Sequence, residues 1–227
     1  MQILILVAVL AVLILGPGFW VKRVLARYSQ PADRYGHTGA ETARRLLDAL
    51  QLQAVVVEIS ETGVHYDPAA RAVRLAAGNY QGRSLTAVTV AAHEVGHALQ
   101  HAEGYAPLLW RTRLVQWVSP VEKTGAVLMM LTPVIIGVTR LPLAGLLVLL
   151  GGMMTLGSAV VIHLLTLPTE FDASFGRALP LLKKQDVLYA ADERHARRLL
   201  TAAAMTYVAA SLMSLLNVAR WIAILRR

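Results

Sequence analysis

Apolar and polar residues are distributed along this chain in two styles: long unbroken apolar runs, and a shorter polar stretch with clear periodicity. Residues 2–21 are almost wholly apolar and long enough to cross a bilayer. No positive segment precedes them and no small-residue cleavage site ends them. Lys22, Arg23 and Arg27 follow, which is the pattern of a retained anchor and not of a cleaved signal peptide. A second span is expected from Val118 to Thr139, with Glu122 and Lys123 at its mouth and Arg140 at the other end. Residues 141–167 form a third, in which Gly151-Gly152 and Gly157 suit close helix packing. A fourth covers Thr201 to Leu225.

Between the first and second runs lies the main polar region. Thr38 to Leu50 has the spacing of an amphipathic helix, with Ala43, Leu46, Leu47 and Leu50 on one side. Ala54 to Ile59 is a β-branched run, Glu61-Thr62-Gly63 a turn, and Tyr66-Asp67-Pro68 another. Val73 and Leu75 alternate with arginines, which predicts a short half-exposed strand at a sheet edge. Ser84 is a plausible N-cap for an Ala/Val-rich, proline-free run from Leu85 to Leu99 that reads as one buried helix. No internal repeat or low-complexity segment interrupts the chain.

Composition sharpens this picture. Over 227 residues, 56% hydrophobic content and a mean hydropathy of +0.53 are too apolar for an ordinary soluble domain. There is no cysteine, which excludes disulfides and thiolate metal sites. The formal net charge of +8 goes with no nucleic-acid-binding module, so nucleic acid is not an expected partner. In a membrane protein such charge speaks to orientation and anionic headgroups.

The chemistry lies in Ala92-His93-Glu94-Val95-Gly96-His97-Ala98-Leu99-Gln100-His101. Four residues turn an α-helix by about 400° and rise about 6 Å, so the His93 and His97 imidazoles share one face. Two neutral ring nitrogens at this spacing grip one Zn²⁺, and Glu94 is placed to take a proton from a metal-activated water. Gly96 suits close approach of another backbone or of a substrate.

Zinc needs a third protein ligand and an open position. His101 lies about 12 Å along the helix from His93 and is poorly placed. His163, inside the third apolar run, reads as a bundle histidine, His195 as a solvated one, and His37 and His65 as loop residues. The best third ligand is Glu170, in Leu167-Pro168-Thr169-Glu170-Phe171-Asp172-Ala173-Ser174, because a hairpin of the second and third spans returns it to the side that holds His93 and His97. Pro168 can start a helix there, putting Glu170 and Ser174 on one face. Asp172 is either an acceptor supporting a ligating histidine or a charge complementing the helix dipole.

These strings, with Gly39-Ala40-Glu41-Thr42-Ala43, His65-Tyr66-Asp67-Pro68 and Ala202-Ala203-Ala204-Met205-Thr206-Tyr207-Val208-Ala209-Ala210, resemble the bacterial membrane zinc metallopeptidase family typified by YugP, the neutral zinc metallopeptidases. The resemblance runs from about Gly39 to the C-terminus. It implies a membrane-embedded zinc peptidase with His93 and His97 as ligands and Glu94 as base. More distantly, the chain is similar to gluzincin membrane proteases of the HtpX and CAAX-processing type, whose Glu-Phe-x-Ala-Asp segment supplies the third ligand and matches Glu170. Ser174 stands where that segment has its acid, so support of the first histidine falls to Ser174, Asp172 or another group.

The sequence thus predicts a mainly α membrane protein: four transmembrane helices and a small α+β zincin-like catalytic region carrying the HExxH helix. Its divisions are an anchor (1–21), the catalytic region (22–117), a transmembrane hairpin (118–167), a Glu-bearing catalytic segment (168–200) and a C-terminal transmembrane helix (201–227). The expected activity is zinc-dependent endopeptidase, with one Zn²⁺ per chain, acting on peptide or membrane-protein substrates. The alternative is a non-catalytic zinc-binding membrane scaffold or chaperone. His195 and Tyr207 are candidates for stabilising the transition state, and the Val73–Leu75 strand for binding substrate by β-augmentation. The resemblance implies a bacterial plasma membrane, and the basic clusters after the first and third runs predict that the catalytic face lies in the cytoplasm.

Overall fold

The computed structural model describes residues 2–139, 143, 146–148, 150, 151, 166–206, 208 and 209. It is mostly helical with one small sheet: α1 (Gln2–Tyr28), α2 (Gly39–Ala49), β1 (Val56–Ile59), β2 (His65–Asp67), β3 (Ala72–Leu75), α3 (Ala77–Gln81), α4 (Leu85–Ala102) and α5 (Ala106–Thr139). Then follow α6 (residues 166–171), a π-helical segment Asp172–Ala178, α7 (Leu179–Lys184), a 3₁₀ turn Ala190–Asp192 and α8 (residues 193–206). The chain divides into two compact units. One comprises Gly18–Leu109 and Leu167–Thr206; the other comprises Met1–Pro17, Trp110–Thr166 and Tyr207–Arg227. The HExxH helix and the Glu170 segment belong to the first.

That unit is built around α4. Ser84 caps it, its hydroxyl accepting from the Ala87 N–H at 3.2 Å, and nearly every residue from Leu85 to Gln100 is buried. The helix packs against α2, α3, the sheet, the π-helical segment and α7. On α2, Thr38 and Glu41 form a capping box, and Ala43, Leu46 and Leu47 face the core. Gly39 lets α2 come close: a Cβ there would stand 2.2 Å from the Asn79 carbonyl oxygen. The sheet order is β1-β3-β2, with β1 parallel and β2 antiparallel to β3.

Two local expectations change. The Val73–Leu75 strand is the centre of the sheet and not its edge, so its backbone is already paired on both sides and cannot add a substrate strand. Its arginine explains the misreading: Arg74 is held on the outer face by Glu58 and Asp67, both at 2.6 Å, while Val73 and Leu75 are fully buried. Tyr66 and Asp67 lie in strand β2; the turn comes after it, where the Asp67 carboxylate accepts from the Ala69 and Ala70 N–H groups. The expectation of close packing at Gly151-Gly152 and Gly157 falls largely outside the described residues.

The expectation of four transmembrane helices is corrected, and with it the plasma-membrane location and the cytoplasmic catalytic face. Among the described residues, no helix is long and apolar enough to cross a membrane. The first apolar run does not stop at residue 21: α1 continues through Lys22, Arg23 and Arg27 and buries Val21 and Val24 in the core. The second expected span is the C-terminal part of a longer helix, α5, which begins at Ala106 and includes Arg111 and Arg113. The third and fourth expected spans lie largely outside the described residues, as does His163.

An ion pair between exposed Arg34 and buried Asp192 fastens the segment after α1 to the residue that precedes α8. The Asp192 carboxylate, 1% exposed, accepts from Arg34 Nε and Nη2 at 2.6 and 2.7 Å and from the Tyr35 hydroxyl at 2.6 Å. Burial pushes the Asp192 carboxyl up, but the Arg34 and Tyr35 hydrogen bonds outweigh it and hold the group below its ordinary value of 3.8. A carboxyl so lowered stabilises the fold above its ordinary value, and that contribution fades as pH falls through the lowered one. Asp192→Asn should therefore lower stability at neutral pH and flatten its loss between about pH 5 and pH 2. Urea midpoints across that range check this, and parallel acid limbs for variant and wild type would contradict it.

Candidate metal centre

His93 and His97 are buried on one face of α4, their rings 4.8 Å apart and nearly perpendicular. Glu170, fully buried on α6, points between them. Its Oε2 lies 3.3 Å from His93 Nε2 and 3.2 Å from His97 Nε2. The three side chains form a buried group whose potential ligand atoms all lie within 4.8 Å of one another.

The surrounding hydrogen bonds fix which nitrogens carry protons. The Ser174 hydroxyl donates to the Leu200 carbonyl at 3.2 Å, so toward His93 Nδ1, 3.0 Å away, it acts as acceptor. His93 is thereby protonated on Nδ1. The Gln100 amide nitrogen donates to the Thr169 carbonyl and the Asp172 carboxylate, both at 2.8 Å, so its oxygen faces His97. That oxygen accepts from His97 Nδ1 at 2.9 Å. With Nδ1 carrying the proton, each imidazole in its neutral form directs the Nε2 lone pair toward Glu170.

Two imidazole nitrogens and a carboxylate converging in a dry interior form a site suited to a cation. The spacing suits zinc: vertices of a tetrahedron about 2.0–2.1 Å from its centre lie roughly 3.3 Å apart. The donor set, two imidazoles and a carboxylate, leaves one tetrahedral position for water or substrate.

The sequence of a family described as "Putative neutral zinc metallopeptidase" matches residues 3–226. The chain belongs to this family of zinc peptidases. It is 40% identical over 221 residues to a Bacillus subtilis (strain 168) protein named "Putative membrane protease YugP", across 95% of this chain and 94% of that protein. No solved structure matches it. Zinc is accordingly the cofactor of this peptidase, and peptides are its substrates.

The sequence candidates fall into three groups. His93, His97, Glu170 and Ser174 meet in one cluster, while Glu94 sits between the histidines on α4, 6% exposed. Asp172 reaches His97 only through Gln100. His195 lies elsewhere, 3.8 Å from Asp192 and with its ring 5.1 Å from that of Tyr28. Tyr207 is outside the described residues. His101 is held by the Tyr66 hydroxyl at 2.8 Å, away from the cluster. Gln100 was not singled out from the sequence, although its position three residues after His97 put it on the same helix face.

Local backbone geometry brings the two halves together. The π-helical segment Asp172–Ala178 follows directly on Glu170, a type of local irregularity frequent at functional sites. Its Ala173 carbonyl packs onto Gly96, where a Cβ would stand 2.5 Å from the oxygen. Glycine is thus required between the two halves of the motif for the Glu170 and Ser174 segment to dock. Gly96→Ala should weaken zinc binding at least about tenfold, the scale seen when support of a ligand is lost, with little change in helical content. Chelator competition with circular dichroism checks this; unchanged zinc affinity would show that the contact is not needed.

Proposed function

We propose that this peptidase is a gluzincin-type endopeptidase in which His93, His97 and Glu170 hold the zinc and Glu94 is the general base. The observation that carries the reading is the convergence of two imidazole Nε2 atoms and a buried carboxylate, one residue along the helix from a buried glutamate. Zinc bound there would acidify a water and polarise the scissile carbonyl. Glu94 accepts the proton of the attacking water and passes it to the leaving amine, so one carboxylate serves as base and then acid. Ser174 and Gln100 hold the two imidazoles in the tautomer that keeps Nε2 free. Glu170 completes the donor set and offsets part of the cation's charge in the buried site.

Glu94→Gln matches the shape of the side chain without its basicity. Hydrolysis of an unfolded protein substrate should fall by about 10²–10⁴-fold while zinc stays stoichiometric. Retained proteolysis in a homogeneous Glu94→Gln preparation would refute the base assignment. For the metal, His93→Ala and His97→Ala should each abolish stoichiometric zinc and Glu170→Ala should sharply reduce it. Full zinc occupancy by elemental analysis in Glu170→Ala would rule that ligand out.

A further inference from the structure

Gln100 is a fully buried side chain of α4 that bonds both to His97 and to the segment carrying Glu170. Its amide oxygen accepts from His97 Nδ1, and its amide nitrogen donates to the Thr169 carbonyl, next to Glu170, and to Asp172 Oδ2. Asp172 is itself anchored, its Oδ2 accepting from Arg177 Nε at 2.7 Å. Arg177 in turn reaches Glu103 Oε2 at 2.6 Å and lies over the Tyr105 ring at 5.3 Å, both just beyond the end of α4. A continuous polar chain thus runs from the ring of one metal ligand to the C-terminal end of the helix that carries it.

Resting on the zinc-site reading above, we propose that Gln100 is a positioning residue that sets both the orientation of His97 and the register of Glu170, and transmits the charge of Asp172 to His97. An amide suits this place and a carboxylate does not. Glutamate would still accept from His97, but it would face the Thr169 carbonyl and the Asp172 carboxylate with no donor, burying a repulsive pair. A hydrocarbon side chain of the same length would fill the space yet leave His97 Nδ1–H, the Thr169 carbonyl and one Asp172 contact without this partner. The Asp172 charge polarises the amide, and the amide strengthens its acceptance from Nδ1–H, which raises the donor strength of Nε2.

The test compares wild type, Gln100→Met, Asp172→Asn and the double variant as purified full chains. Zinc affinity is read by chelator competition and ligand geometry by the visible spectrum after Co²⁺ substitution. Gln100→Met keeps the volume and should weaken zinc by about 10–100-fold and alter the Co²⁺ bands. Asp172→Asn keeps an acceptor for the amide while removing the charge, and should weaken zinc by a smaller factor. Because Gln100 carries that effect, adding Asp172→Asn to Gln100→Met should weaken zinc no further. A merely structural glutamine would lower thermal stability and leave the Co²⁺ spectrum and zinc affinity of the folded protein unchanged, which would overturn the proposal. If Gln100→Met does not fold, Asp172→Asn decides alone: wild-type affinity and spectrum would overturn the proposal. Wild type without stoichiometric zinc would overturn the metal-site reading and this inference together, whereas normal wild-type zinc with unaltered variants overturns only the role of Gln100.

Discussion

Two imidazole nitrogens and a carboxylate oxygen converge within about a van der Waals contact of one another in a dry interior, an arrangement that is stable only when a metal ion or a proton supplies positive charge among them. Much of the catalytic unit serves to hold that arrangement. His93 is turned by Ser174, His97 by Gln100, and Glu170 is fully buried. Ser174 is oriented by the Leu200 carbonyl of α8, and Gln100 by the backbone and acid that flank Glu170. The bonds that orient these side chains are therefore also the bonds that join α4 to the segments packed around it.

The apolar environment explains how so polar a cluster is tolerated. α4 is buried along nearly its whole length by Leu46 and Leu47 of α2, Val73 and Leu75 of β3, and the leucines of α7 and α8. Burial on this scale fixes the helix, at the expense of every polar group along it needing a specific partner. The histidines and Gln100 find theirs on the Glu170 segment. Gly96 and the π-helical turn let that segment come close enough, one by omitting a side chain and the other by admitting an extra residue to a helical turn.

The apolar runs that suggested a membrane protein have a partly different use. In α1, Val21 and Val24 belong to the core of the catalytic unit. Hydropathy summed along a run measures how apolar it is, not what covers it: a helix face can be apolar because protein packs there. The relative from Bacillus subtilis carries "membrane" in its name, yet among the described residues of this chain no helix is long and apolar enough to cross one.

Local pattern determined the elements whose cause is local. The zinc helix, its Ser84 cap, the amphipathic α2 and the placement of His93 and His97 on one face all follow from periodicities of a single helix. Glu170 could be named because a proline-led acidic segment is visible in sequence, and Ser174 because it lies one helical turn further on. Strand order was not legible: whether Val73–Leu75 lies at the centre or the edge depends on which segments pair with it, and β1 and β2 are themselves short. Nor could sequence separate Asp172 as a direct partner of a histidine from Asp172 as a partner of Gln100. That choice rests on where an amide on α4 meets a carbonyl and a carboxylate some seventy residues later. Helical spacing placed the ligands of one helix; only packing between distant segments decided how their protons, and so their lone pairs, are directed.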